Sequence, residues 1–371
     1  MTKAAELAKM GEVLTNSQIG GRRNIVINGA MQVAQRATSV TGIGAANGYF
    51  TVDRFKLFQA GTAGRLTMSQ AAITDLGGFS NAMKFDVTTA DASIAAGEIF
   101  QIGTMFEGQD IQGFKKGHSD AERFTVSFYV KGTAKTYSVE LFDGDNTRHV
   151  TQTFSVTTSW NRVVLNFPAD TTGKFDSDNA LSLFILIWVH AGSTYTGGTA
   201  ATSWAANNNA NRAVGCGSLF SSTDNELFIT GLQLEVGSVA TPFEHRSFGE
   251  ELQLCQRYYQ EITGSIDNSN LGDHVIVASG VAYNTDAGFA GITFTTPMRG
   301  LSTIGFSAVG HFTKLTAGRG DAVTDIALYD ATTNATTRQA FLKFTSSTST
   351  AGGMTIEASN VAGRLNFDAE L

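Results

Sequence analysis

Gly231-Leu232-Gln233-Leu234-Glu235-Val236-Gly237, continuing as Ser238-Val239-Ala240-Thr241-Pro242-Phe243-Glu244, is the stretch whose reading decides the fold. Leu232, Leu234 and Val236 alternate with Gln233 and Glu235, the period of two expected of a strand with one face in a core. Gly231 and Gly237 bracket the alternation, and Pro242 blocks further ladder pairing. A helix-like segment follows at residues 250–259. Working back along the chain, residues 65–70, 81–87, 94–106, 123–130, 136–142, 161–167, 181–189 and 226–236 read as strands. Ile25-Val26-Ile27 reads as another. Asn28-Gly29 and Asp143-Gly144-Asp145-Asn146 are turn signals between such runs. Many strands joined by turns predict an all-β chain built on an antiparallel sandwich.

Composition agrees. Of 371 residues 42% are hydrophobic, enough for a real core, while only 16% are charged, well below the usual quarter. Forty glycines and 26 phenylalanines with three prolines suit short strands and turns. A net charge of −7 argues against nucleic acid as a partner, which calls for a basic face. The N-terminal ten residues are charged throughout, so they do not read as a signal peptide. The longest apolar run, residues 183–189, is too short to cross a bilayer as a helix, and no membrane insertion is expected. Cys216 and Cys255 form no disulfide framework and read as two reduced thiols.

Three zones divide the chain: residues 1–21, 22–262 and 263–371. In the first, Leu7, Met10 and Leu14 fall at helical spacing. A helix this short is marginal alone, so it packs on the next domain, bundles with copies of itself, or docks into another protein. The third zone, rich in Thr, Ser, Ala and Gly, reads as a second, smaller β-domain with Val275, Val277 and Leu328 as core candidates.

Two pieces of the middle zone carry a family resemblance. The early piece is Asn28-Gly29-Ala30-Met31-Gln32-Val33-Ala34-Gln35-Arg36, followed by Gly48-Tyr49-Phe50-Thr51-Val52-Asp53-Arg54-Phe55. The late piece is Ile229-Thr230 with the opening stretch, then Glu251-Leu252 and Cys255-Gln256-Arg257-Tyr258-Tyr259. Together they resemble the carbohydrate-binding-module-like jelly roll of tail fibres and appendages of tailed phages. The resemblance implies an all-β fold: an antiparallel jelly-roll sandwich preceded by a short N-terminal helix and followed by a smaller β-domain. It further implies a structural virion protein, a tail fibre or fibre-like appendage in host-surface attachment, made in the host cytoplasm. A homotrimer, contacts to other virion proteins through the N-terminus, and a host surface glycan are the partners it implies. A capsid decoration or cement protein and a glycan depolymerase are the rival classes.

No catalytic motif is legible. The scattered histidines lack a nucleophile in a recognised setting, and no Gly-x-Ser-x-Gly elbow occurs. The expectation is a protein that is not an enzyme. Phe142-Asp143-Gly144-Asp145-Asn146 lacks the later ligands of a calcium loop and reads as a β-turn. No cofactor and no metal are expected. Asp53 and Arg54 read as strand residues on opposite faces, one of them paired locally.

The long loop of residues 191–214 is the candidate site, since loops of this length are usually functional or interfacial. Tyr195 and Trp204 are of a type to stack on a sugar ring. Asn207, Asn208, Asn209 and Arg212 are of a type to bond its hydroxyls. Two other readings stand beside that one: the loop packs across the sandwich with Trp204 over the core, or it packs a subunit interface. Buried aromatics outnumber ligand platforms, which favours packing. Trp160 and Trp188 read as core residues in strands.

The helix at residues 4–14 is expected to bury Leu7, Met10 and Leu14 against another chain. Deleting residues 1–21 should then leave a folded protein that no longer enters virions. Normal incorporation of the truncated chain, read by immunoblot of purified particles, would refute the anchor.

Overall fold

A computed structural model describes residues 3–4, 23–263, 275–283, 287–316, 319–329, 336–346, 352–358 and 362–371. Leu7, Met10 and Leu14 lie outside the described residues. The chain divides into two compact units, Met1–Phe248 with Leu371, and Gly249–Glu370.

The first unit contains thirteen described strands. They are β1 (Ser39–Ile43), β2 (Gly48–Tyr49), β3 (Lys56–Ala60), β4 (Arg65–Ala72), β5 (Asn81–Thr89), β6 (Ile99–Glu107) and β7 (Phe124–Gly132). The series continues with β8 (Lys135–Asp143), β9 (Arg148–Val156), β10 (Asn161–Phe167), β11 (Leu181–Ala191), β12 (Ala205–Ala206) and β13 (Glu226–Val236). One sheet runs β1-β4-β5-β13-β7-β10 and the other β12-β9-β8-β11-β6-β3-β2. All pairings are antiparallel. This is the expected jelly-roll-type sandwich. Its core is filled from both inner faces by residues such as Phe85, Val126, Phe128 and Leu234, facing Phe100, Ile102, Leu141 and Ile187.

The opening stretch is the keystone of the first sheet. β13 runs through Gly231 rather than starting there. A bulge falls between Thr230 and Gln233, and Gly231 sits at φ +64, where an added Cβ would lie 2.8 Å from the Phe79 ring. Before the bulge β13 pairs with β5; beyond it, β5 pairing ends. Residues 24–29 take its place. Ile25 N donates to Leu234 O (3.1 Å) and Leu232 N to Gly29 O (2.9 Å). The Asn24 side chain bridges the rest, donating to Leu232 O (3.2 Å) and accepting from Leu234 N (3.1 Å) and Val26 N (3.0 Å). Ile25-Val26-Ile27 is therefore no regular strand, a correction to the sequence reading. It is irregular because a side chain supplies half of the ladder. Gly29 is required by close approach, since a Cβ there would lie 2.1 Å from Leu232 O.

The polar face of β13 is not in solvent either: Gln233 and Glu235 are buried. Gly237, at φ +104, turns the chain back, and the return segment caps the strand's own side chains. Thr241 N and Oγ1 donate to Glu235 (3.1 and 2.5 Å), and Glu244 N donates to Gln233 Oε1 (2.9 Å). Glu244 Oε2 in turn accepts from Arg23 N (2.9 Å) and Asn24 N (2.7 Å).

The early motif closes a second loop of the same clasp. Asn28, left-handed at φ 60, donates from Nδ2 to Val33 O (2.8 Å) and Asp53 O (3.0 Å) and accepts from Val33 N (2.9 Å). Asn tolerates that backbone region better than most residues. Asp53 accepts from Gln35 N (3.0 Å) and Gln35 Nε2 (2.5 Å). Arg54, at φ 73, sends its guanidinium to Met105 O (2.9 Å). Asp53 and Arg54 thus belong to a turn before β3 and not to a strand.

The second unit begins near the helix Phe248–Gln256. Its strands are β14 (Tyr259–Thr263), β15 (Val275–Ala282), β16 (Ala287–Thr293), β17 (Thr303–Phe306), β18 (Phe312–Thr316), β19 (Arg319–Leu328), β20 (Gln339–Ser346), β21 (Gly352–Ala358) and β22 (Arg364–Asp368). β15-β16-β20-β19-β18-β21 close into a barrel, beside a three-stranded sheet β14-β22-β17. Val277, Ile292, Ile326, Leu342, Phe344 and Ile356 fill the barrel core, with Leu328 packed against it. β14 pairs with β22 and so belongs to the second unit. Alternation cannot announce closure, which depends on β15 meeting β21 about seventy residues on.

Replacing Asn24 by Ala strands two buried N–H groups and one buried carbonyl. At about 1–3 kcal/mol per unsatisfied group, a loss of roughly 2–4 kcal/mol is expected in chemical unfolding. An unchanged midpoint would show that β13 does not rely on the clasp.

Candidate functional site

Loop residues 192–217 lie on the outer face of the seven-stranded sheet. That face is unusual in burying a carboxylate. Glu140 points outward from the middle of β8, yet it is fully enclosed. Arg212 Nε and Nη2 reach its two oxygens at 2.8 and 3.1 Å, Trp188 Nε1 donates at 2.8 Å, and His149 Nδ1 lies at 3.0 Å. The carboxylate can only accept, so His149 carries its proton on Nδ1. The Arg212 guanidinium also stacks over Phe142 and Trp188, 5.1 Å from each ring. A two-point Arg–carboxylate contact over aromatic faces is a specific fastening.

This fastening settles where the predicted residues stand. Arg212 points inward at Glu140. Tyr195 packs on Trp188, ring centroids 5.3 Å apart. Trp204 is only 8% exposed and belongs to the sandwich core. Its Nε1 donates to Pro168 O (2.9 Å), and its ring lies 5.5 Å from Phe124 and under Lys116 Nζ at 5.1 Å. Trp204 and Arg212 are therefore structural, a correction to the sugar-platform reading and an outcome that the packing alternative anticipated. Asn207, Asn208 and Asn209 are exposed. Asn208 caps the short turn Asn209–Asn211, accepting from Ala210 N. The structure brings no exposed aromatic beside these amides within the loop. Trp188 is buried as expected, but under this loop, whereas Trp160 precedes β10 and is half-exposed, bonded to Asp75 (2.9 Å).

The expected turn at Asp143 is present, and its carboxylate is committed. Lys116, fully buried, reaches Asp143 at 2.5 Å and Asp170 at 3.1 Å. Arg148 pairs with Asp170 at 2.8 Å. Burial alone would raise the Asp170 carboxyl, but hydrogen bonds from Arg148, Thr172 N and Lys116 hold it below the ordinary carboxylate range. A cavity of about 270 Å³ beside this cluster is lined by Gln112, Lys115, His118, Asp120 and Lys174 among others.

Two aromatic surfaces remain as binding candidates. On the outer face of the seven-stranded sheet, Phe58, Phe184 and Phe142 form a row with centroids 6.3 and 5.7 Å apart. Their edges meet, and Lys56 and Arg212 already cover the end rings. The barrel's outer face is more open. Val281, Phe289 and Lys343 share one register row across β15, β16 and β20. Phe289 lies 4.3 Å from Tyr329, 6.0 Å from Tyr283 and stacks with Phe341 at 6.4 Å. Tyr283 is 74% exposed, Val281 59% and Tyr329 41%. An apolar, aromatic strip left this open on a soluble face is the kind of surface that binds something. Sequence reading missed it, because Tyr283, Phe289, Tyr329 and Phe341 are dispersed over about sixty residues and only barrel closure gathers them.

No family model matches the sequence, and no curated protein matches it. Among solved structures the chain is similar to a CBM4 structure, with 12% identity, a TM-score of 0.31, and coverage of 56% of this chain and 97% of that one. It is also similar to the family 11 carbohydrate-binding module of cellulosomal cellulase Lic26A-Cel5E of Clostridium thermocellum, with 11% identity and a TM-score of 0.28. That match covers 54% of this chain and 100% of the module. TmCBM61 in complex with beta-1,4-galactotriose gives 9% identity and a TM-score of 0.28, covering 58% of this chain and 99% of that one. TM-scores near 0.3 carry no argument about a ligand.

Replacing Trp204 by Ala removes a core aromatic that touches Phe124 and holds Pro168. A loss of about 3–5 kcal/mol is expected, read as a lowered unfolding midpoint. A midpoint within experimental error of wild type would return Trp204 to the surface.

Proposed function

We propose that the chain is a non-catalytic structural protein of a tailed-phage virion, a tail fibre or fibre-like appendage that attaches to the host surface through its barrel. The observation that carries this reading is the open strip of Tyr283, Val281, Phe289, Tyr329 and Phe341. The motif resemblance supplies the virion context. Aromatic faces give a sugar ring apolar contact while a neighbouring cation or hydroxyl satisfies its oxygens; Lys343 in the same row and the two tyrosine hydroxyls are so placed. Weak single contacts gain strength when several copies engage at once.

A second reading of the strip has its own support. Ile276, 56% exposed, extends it along β15 beside Val281. Aliphatic residues suit contact between copies better than contact with sugar, which favours a homotrimer interface.

Tyr283→Ala with Tyr329→Ala tests the first reading. Adsorption of virions carrying the double variant should fall by roughly thirtyfold, because each of the two lost aromatic contacts is worth about 1 kcal/mol. The melting temperature should hardly change. Full adsorption would overturn the barrel as the attachment surface. If instead light scattering shows the variant falling apart from a trimer, the strip is the interface between copies.

A further inference from the structure

Three side chains outside every surface described so far meet in the first unit. Asp91 follows β5, Glu98 precedes β6 and His190 ends β11. Their ligating atoms all lie within 4.8 Å of one another, and all three residues are buried. His190 Nε2 stands 3.1 Å from Glu98 Oε2. On its other side, Nδ1 stands 2.8 Å from Ser218 Oγ. We propose that Asp91, Glu98 and His190 form a binding site for a first-row divalent metal ion, with Zn²⁺ the best fit.

Charge calls for a cation at this cluster. Two carboxylates are enclosed with one imidazole, and among the described residues neither has a lysine or arginine within ion-pair reach. Three other buried carboxylates of this unit do have a cation: Glu140 has Arg212, and Asp143 and Asp170 have Lys116. Asp91 Oδ2 accepts from Thr62 Oγ1 (2.8 Å) and Ala63 N (2.8 Å), neutral donors that leave its charge uncancelled. Without a metal, the Nε2–H tautomer satisfies the hydrogen bonds, donating to Glu98 Oε2 and accepting from Ser218 Oγ, but it does not cancel the carboxylate charge. A dication does.

The donor set selects among cations. One imidazole nitrogen with two carboxylate oxygens suits zinc and its neighbours, whereas Ca²⁺ prefers an all-oxygen shell of six or more. Ligand atoms about 2.0–2.2 Å from zinc stand roughly 3.3 Å apart in a tetrahedron. The 3.1 Å edge fits already, and the remaining edges lie within 4.8 Å. Ser218 is placed as metal-bound histidines require: with Nδ1–H donated to Oγ, the Nε2 lone pair faces the carboxylates. The fourth position is left for water, toward the exposed residues 92–97.

The site would fasten three segments. Asp91 N donates to Phe220 O (2.7 Å) and Gly192 N to Glu98 O (2.8 Å). The metal would thus tie the start of the covering loop to the 91–98 turn. Sequence spacing hides it, since His190 stands 92 residues beyond Glu98.

The test uses the full chain stripped with EDTA and titrated with ZnCl₂, with MnCl₂ and CaCl₂ in parallel. Calorimetry should give one zinc per chain, and the melting temperature should rise by roughly 5 °C at saturation. Co²⁺ should give a visible absorption band displaced by Zn²⁺. Glu98→Gln and His190→Gln should each abolish the band and weaken zinc binding at least tenfold, and Ser218→Ala should weaken it by about tenfold. No stoichiometric zinc, a preference for Ca²⁺, or undiminished binding in Glu98→Gln would each overturn the proposal. Should a variant fail to fold, a shift of the His190 ring-proton signals on zinc addition to the wild-type chain supports the site, and unmoved signals overturn it.

Discussion

Everything in the first unit depends on how the outer half of β13 is kept dry and paired. A strand at that position needs neighbours on both sides and cover on both faces. β7 supplies one side for the whole length, but β5 leaves after Ile229. A chain segment from about two hundred residues earlier fills the gap, and Asn24 replaces the missing ladder bonds with a side-chain amide. Unpaired buried backbone groups are costly, so the clasp is a condition for closing the sandwich. Glu244 then binds the N–H groups of Arg23 and Asn24, so both ends of the domain meet on one carboxylate. Asn28, Gly29, Val33, Asp53, Thr241 and Glu244, among the residues that carry the family resemblance, are part of this clasp. Such a motif marks a way of closing a jelly roll, and it is silent about what the jelly roll holds.

A similar economy governs the opposite sheet. Glu140 on an outward position would be expected in solvent. Burying it demands a cation and several donors, and Arg212, Trp188 and His149 meet that demand only if the long loop folds over the sheet. The loop is therefore a cover, and its charged residue is spent on architecture. The same holds for Lys116 with Asp143 and Asp170. Most polar side chains that looked chemical in the sequence are occupied in internal networks, while the open surface with binding character is aromatic and sits on the barrel.

What was legible in the sequence follows from range. Alternation is local, so eight of the thirteen strands of the sandwich could be placed, β13 to the residue, while β9 and the shorter β1, β2, β3 and β12 were not. Tight turns at Asn28 and Asp143 were legible through their own side-chain chemistry. Ile25-Val26-Ile27 was misread because its composition suits a strand while its bonding is set by Asn24 and a distant bulge. The period of Gln233 and Glu235 promised solvent, and only the return through Thr241 and Glu244 contradicts it. Trp204, the barrel strip and the cluster of Asp91, Glu98 and His190 all depend on non-local closure. No spacing rule within one chain segment could have assembled them.

The clasp makes a direct statement about cooperativity. If residues 24–33 close the sandwich, their amides are released only when the whole unit unfolds. Native-state hydrogen exchange on the full chain tests this at the amides of Ile25, Val26 and Val33, compared with those of Val126 and Leu234 in the core strands. The account predicts one common opening free energy for all five, falling together with denaturant. Exchange of Ile25, Val26 and Val33 through a small local opening, while Val126 and Leu234 stay protected, would show a frayed N-terminal segment and contradict it.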